Sequence, residues 1–181
     1  MKHSWIGQFR FCLVVATVFG VLSLLLGCKK EVTRKADWET HFTGLHFIDD
    51  KHGWVVGREG LIIHTADSGK TWAKQEVDTN GDFKSVCFTN NRFGWAVGDE
   101  GLIATTDDGG RHWYLQQSGT WALLRDVFFA NSNEGWIVGE GADVLYTQDG
   151  GKTWKRHEFV SEFPLSGAWF VDNRRGWVVG E

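Results

Sequence analysis

GWVVGREGLIIHTADSGKTW (53–72), GWAVGDEGLIATTDDGGRHW (94–113) and GWIVGEGADVLYTQDGGKTW (135–154) are three versions of one pattern, each 41 residues after the last. Working outward, the period holds without a slip. Phe47, Phe88, Phe129 and Phe170 precede the motif at that spacing, and the Gly-Trp pair returns at Gly176-Trp177. So many registers at one offset mark an internal repeat. Each unit reads as four short strands. In the first they cover 44–48, 54–57, 61–65 and 72–77, runs of β-branched and aromatic residues separated by Gly, Asp and Asn turns. No segment carries a helical period. Four antiparallel strands in about 41 residues is the size of a propeller blade. The expected class is therefore all-β, a β-propeller of four-stranded antiparallel blades. The units lie near 38–78, 79–119 and 120–160, with a partial fourth at 161–181.

Composition agrees. Among 181 residues there are 23 Gly and 11 Trp but one Pro, which suits strands joined by tight turns. A formal net charge of −4 gives no electrostatic case for nucleic acid. At the N-terminus, Lys2, His3 and Arg10 lead into the apolar run Phe11–Leu26, the layout of a secretory signal. The run is shorter than the ~20 residues of a membrane span; an uncleaved anchor helix is the alternative. It ends Leu25-Leu26-Gly27-Cys28, which resembles the bacterial lipobox. The expectation is a signal peptide over 1–27, lipid attachment at Cys28 and a polar tether over 28–37. Lys29, in place of the Asp that retains lipoproteins at the inner membrane, favours the outer membrane, facing the periplasm, in a diderm host. Cys12 falls in the signal and Cys28 carries lipid, so Cys87 stands alone in the folded part as a buried apolar filler.

The turn sequences TADSGKTW (65–72), TDDGGRHW (106–113) and TQDGGKTW (147–154) resemble the Asp box. Asp67, Asp108 and Asp149 are expected to brace the turn by accepting backbone N–H groups. Gly69, Gly110 and Gly151 supply left-handed or close-approach positions. Trp72, Trp113 and Trp154 start the fourth strand and cover apolar surface between sheets. These roles are structural, not catalytic. His112 replaces the usual Thr in the second unit.

The longer pattern GWxVGxxGxIxxTxDGGxTW is similar to the BNR-type repeat of photosystem II stability and assembly factors. It covers nearly all of the chain from about residue 38 to 181. The resemblance implies a seven-bladed propeller that assists assembly of photosystem II and binds its early reaction-centre protein. The fourth unit stops after its second strand, so the sequence is expected to be cut short. Propellers have about 4–8 blades, and an open array leaves an unpaired strand edge.

Asp boxes also occur in sialidases, whose chemistry needs a paired acid and nucleophile and Arg side chains for the substrate carboxylate. Only Tyr114 and Tyr146 are present, and Tyr146 occupies the variable repeat position held by His64 and Thr105. The histidines are scattered without metal-ligand spacing, and no Gly-rich loop opens a helix; no cofactor is expected. Candidate partner-binding residues are Lys51, Arg92, Arg111, Arg174 and Arg175, on loops joining the first to the second and the third to the fourth strands. The opposite loops carry Glu59, Asp99, Glu100 and Glu140. The sequence thus reads as a non-catalytic protein-binding scaffold, reaching the membrane through its lipid. The alternative is a cell-envelope carbohydrate-binding or sialidase-like hydrolase propeller.

Overall fold

The computed structural model describes residues 41–158, 164–172 and 175–180. Cys28, the expected signal and tether, and Arg174 lie outside them. The strands are β1 (Phe42–Phe47), β2 (Gly53–Gly57), β3 (Ile62–Thr65) and β4 (Ala73–Gln75) in the first sheet. The second holds β5 (Phe83–Phe88), β6 (Gly94–Gly98), β7 (Ile103–Thr106) and β8 (Tyr114–Gln116). The third holds β9 (Leu124–Phe129), β10 (Gly135–Gly139), β11 (Asp143–Thr147) and β12 (Lys155–Glu158). The fourth pairs β13 (Leu165–Asp172) with β14 (Arg175–Gly180). All pairings are antiparallel between consecutive strands, so every sheet is an up-and-down meander. The Trp of each Asp box sits one residue ahead of the fourth strand rather than within it: β4 begins at Ala73.

The core lies between the sheets. One cluster joins Trp54, Val56 and Ile62 of the first sheet to Phe83, Val86, Phe88 and Ala104 of the second. A second joins Trp95, Val97 and Ile103 to Leu124, Val127 and Phe129. A third joins Trp136, Val138 and Val144 to Leu165. A sheet with a neighbour on each face needs middle strands that are apolar on both faces. GWAVG in β6 and GWIVG in β10 are accordingly buried throughout. The fourth strands, such as β4 and β8, are mostly exposed at the periphery.

Each joint repeats one ring stack. Trp54 stacks on Phe88 with centroids 3.6 Å apart, Trp95 on Phe129 at 3.7 Å, and Trp136 on Phe170 at 3.9 Å. The glycine before each Trp makes this possible, because a Cβ on Gly53, Gly94, Gly135 or Gly176 would strike the ring of Phe47, Phe88, Phe129 or Phe170. The Phe–Gly spacing of the repeat is thus a clearance requirement. At the first and last sheets the same positions meet no further sheet among the described residues: Phe47 is 42% exposed and Trp177 63%.

Candidate functional site

Each Asp box is a small hydrogen-bonded cage. In the first, the Thr65 hydroxyl donates to Asp67 Oδ1 (2.9 Å) and accepts the backbone N–H groups of Asp67 (3.3 Å) and Gly69 (2.8 Å). Asp67 Oδ1 also accepts the Thr71 N–H (2.8 Å), and Oδ2 the Thr71 hydroxyl (2.7 Å). The third box repeats this with Thr147, Asp149, Gly151 and Thr153. In the second, His112 Nδ1 lies 2.6 Å from Asp108 Oδ2, in the place of the Thr hydroxyl. The threonine that opens the motif therefore does as much as the aspartate. It recurs with the same period, but its role as a buried acceptor is visible only in three dimensions.

These bonds favour the ionised carboxylates. The N–H and hydroxyl of Thr71 hold Asp67 down to about 2 from an ordinary 3.8. The hydroxyl and N–H of Thr153 do the same for Asp149. For Asp108, desolvation pushes upward, yet the bonds from His112 and Thr106 outweigh it and leave it at about 2. Residues whose carboxylates are saturated by local turn donors are braces.

The box tryptophans tie neighbouring sheets. Trp113 Nε1 donates to Gln75 Oε1 of the preceding sheet (3.2 Å), and Trp154 Nε1 to Gln116 Oε1 (3.3 Å). Each indole also meets the stacked phenylalanine edge-on, Trp113 with Phe88 and Trp154 with Phe129, both at 5.9 Å. Gln75 Nε2 bonds the carbonyl of Gly109 inside the next box (2.9 Å). The glutamines, 41 apart, were legible as a repeat position, though one shared by only two units. Nearer the strands' other flank, Asp126 bridges three sheets. It accepts the Ser85 hydroxyl (2.8 Å) and the Ala168 N–H (3.1 Å).

Backbone bonds lock the boxes to the first loops of their own sheets, defining one rim. The Ser68 N–H donates to Lys51 O (3.0 Å), that of Gly109 to Arg92 O (2.8 Å), and that of Gly150 to Asn133 O (2.9 Å). Lys51, Arg92 and Arg111 are exposed on this rim. Arg92 and Arg111 flank the same sheet, and Arg175 opens β14 on the corresponding turn. Arg92 is held in place: its Nε donates to Asp107 O (3.2 Å) and its guanidinium lies 5.5 Å from the Phe93 ring centroid.

The remaining candidates behave as packing residues. Cys87 is buried and free, and desolvation pushes its thiol up to about 12. The Tyr146 hydroxyl donates to Glu134 Oε1 (3.5 Å), a Tyr–Glu pair of the kind a sialidase uses. Desolvation raises the Tyr146 pKa, opposite to what an activated phenolate requires. Among the described residues, no three His, Cys, Asp or Glu side chains are grouped to hold a metal.

Comparison with known proteins converges on one family. Photosystem II assembly lipoprotein Ycf48 of a Picosynechococcus strain is 37% identical over 67 residues, covering 32% of this chain and 20% of that protein. The same-named protein of a Prochlorococcus marinus strain is 32% identical over 82 residues, covering 39% of this chain and 24% of that one. The solved structure of YCF48 bound to D1 peptide superposes with a TM-score of 0.60 at 27% identity, covering 70% of this chain and 44% of that chain. YCF48 from Cyanidioschyzon merolae superposes with a TM-score of 0.58 at 22% identity, covering 73% and 48%, and shares the fold. The chain thus spans less than half of each of these proteins. The sequence model for the photosynthesis system II assembly factor YCF48 matches residues 30–117 and 116–181, which take in the whole repeat region, and this chain belongs to that family.

Proposed function

We propose that this protein is a non-catalytic propeller that binds a protein segment through its Asp-box rim and so serves assembly of a membrane protein complex, photosystem II in a photosynthetic host. The observation that carries it is family membership combined with a rim on which Lys51, Arg92 and Arg111 stand exposed beside rigid turns. A related structure at 27% identity holds a D1 peptide, and a peptide of that kind is the expected ligand here. Basic side chains on preorganised loops attract an acidic or carboxylate-bearing segment and lose little entropy on binding it. The family match is to an assembly factor, which does not favour the hydrolase alternative.

Export and lipid attachment at Cys28 would bring the rim to a membrane surface; the relatives are named as lipoproteins. Outer-membrane, periplasm-facing placement in a diderm host belongs to the same proposal. The test is fluorescence anisotropy of a labelled D1 peptide with the full chain. Charge reversal at Lys51, Arg92 and Arg111 together should weaken binding at least tenfold at unchanged melting temperature. Unchanged affinity would remove the rim from the proposal. Palmitate labelling lost in Cys28→Ser would support the anchor, and labelling retained would refute it.

A further inference from the structure

The other rim carries a second feature. The turn between β6 and β7 and the connector from β8 to β9 enclose an open groove of about 510 Å³, lined among others by Asp99, Glu100, Leu102, Leu115 and Trp121. Its volume falls within the roughly 300–1,000 Å³ of ligand sites. Trp121 is 86% exposed, the most exposed large apolar side chain among the described residues. The 41-residue repeat places Asn80 and Glu162 at its position in the adjacent units, so this indole is no part of the packing ladder. Leu115, also exposed, lines the same groove.

The connector that presents Trp121 is fixed. The Gly101 N–H donates to Ala122 O (2.8 Å), the Ala122 N–H to Thr120 Oγ1 (3.1 Å), and the Thr120 N–H to Ser118 Oγ (3.3 Å). The wall is acidic. Asp99 is paired with Lys84 at 3.0 Å, whereas Glu100 is exposed and has no ion-pair partner among the described residues. Glu100 also adopts a left-handed backbone, φ 53°, where the third unit has Gly141. The same left-handed turn recurs at Glu59 of the first unit, φ 57°.

We infer that this groove docks an extended peptide carrying a Lys or Arg beside an apolar residue. An indole face and an unpaired carboxylate together suit a cationic head, and Leu115 suits the apolar neighbour. The groove lies on the rim opposite the basic residues, so it stands independently of the function proposed above.

The test titrates a fluorescein-labelled alternating Leu-Lys hexapeptide with the full chain and follows anisotropy. Binding should weaken about fivefold in Trp121→Ala and about threefold in Glu100→Gln, as expected for one cation–π and one exposed charge contact. Trp121→Phe should keep most of it, and Arg92→Glu on the far rim all of it. An alternating Leu-Glu hexapeptide should not bind. Absence of binding, equal binding by the acidic peptide, or binding unchanged in Trp121→Ala would overturn the inference. So would competition by chito-oligosaccharide in place of the basic peptide, or a homodimer by sedimentation that Trp121→Ala dissolves. Trp121 is almost wholly in solvent, so its variants retain the fold; an unchanged melting temperature verifies this.

Discussion

Phe47 and Phe88 occupy the same repeat position but different surroundings, and replacing each by Ala isolates the value of a joint. Phe88 is 3% exposed, stacked 3.6 Å from Trp54 and met edge-on by Trp113. Removing a fully buried ring costs about 3–5 kcal/mol. Phe47 rests over Gly53 and meets its own sheet's Trp72 edge-on, with 42% of its surface in solvent. Its loss should cost roughly 1–2 kcal/mol. The difference, about 2–3 kcal/mol, would separate the urea midpoints by roughly 1 M for a domain with a slope of 2–3 kcal/mol/M. Sheets that touch only neighbours exchange stability locally. Phe88→Ala should therefore speed amide exchange in β2, β3, β6 and β7 while β10 and β11 stay protected. Equal costs for the two substitutions, or a larger cost for Phe47→Ala, would refute the view that inter-sheet stacking holds the array together.

Three further outcomes follow from the boxes. Ser68 has φ 62° where the other units have Gly109 and Gly150; Ser68→Gly should stabilise by roughly 0.5–1 kcal/mol, read as a rise in melting temperature, after strain relief is set against unfolded-state entropy. Gly151 combines φ 74° with a Cβ direction that runs into Trp95 Nε1, so Gly151→Ala should cost about 2–4 kcal/mol by chemical denaturation, more than strain alone would. Asp67 and Asp149 are depressed to about 2 in the fold from 3.8. Their contribution is complete above 3.8 and disappears as pH falls towards 2. Melting temperature should therefore drop over that window, and drop less steeply in Asp149→Asn, which starts lower at neutral pH.

What was legible in the sequence is what repeats. A 41-residue period forces equivalent residues into equivalent surroundings, so strands, turns and the Trp–Phe core could be read directly from spacing. The box aspartates were readable too, because their partners lie within four residues. Partnerships that cross sheets were not. Trp113 with Gln75 and Asp126 with Ser85 and Ala168 are pairs separated by about one period, and spacing alone does not say which residue of one unit faces which of the next. Trp121 stood outside the pattern for the opposite reason: nothing recurs at its position, so only its exposure beside a groove distinguishes it from an ordinary loop residue. The placing of Lys51, Arg92 and Arg111 on one rim followed from loop order, because a meander sends alternate turns to the same end.

The ring stack has a consequence for how such an array can change length over evolutionary time. Every unit brings a leading phenylalanine and a trailing tryptophan, the two halves of one joint. Duplicating a whole unit therefore supplies its own mating surfaces on both sides, and no compensating mutation is required. Loss of part of a unit that takes away either ring leaves a large aromatic without its counterpart, whereas changes in exposed loops leave the stack in place. The repeating element is thus the whole sheet, and sheets can be added or removed while the loops of the others stay as they were.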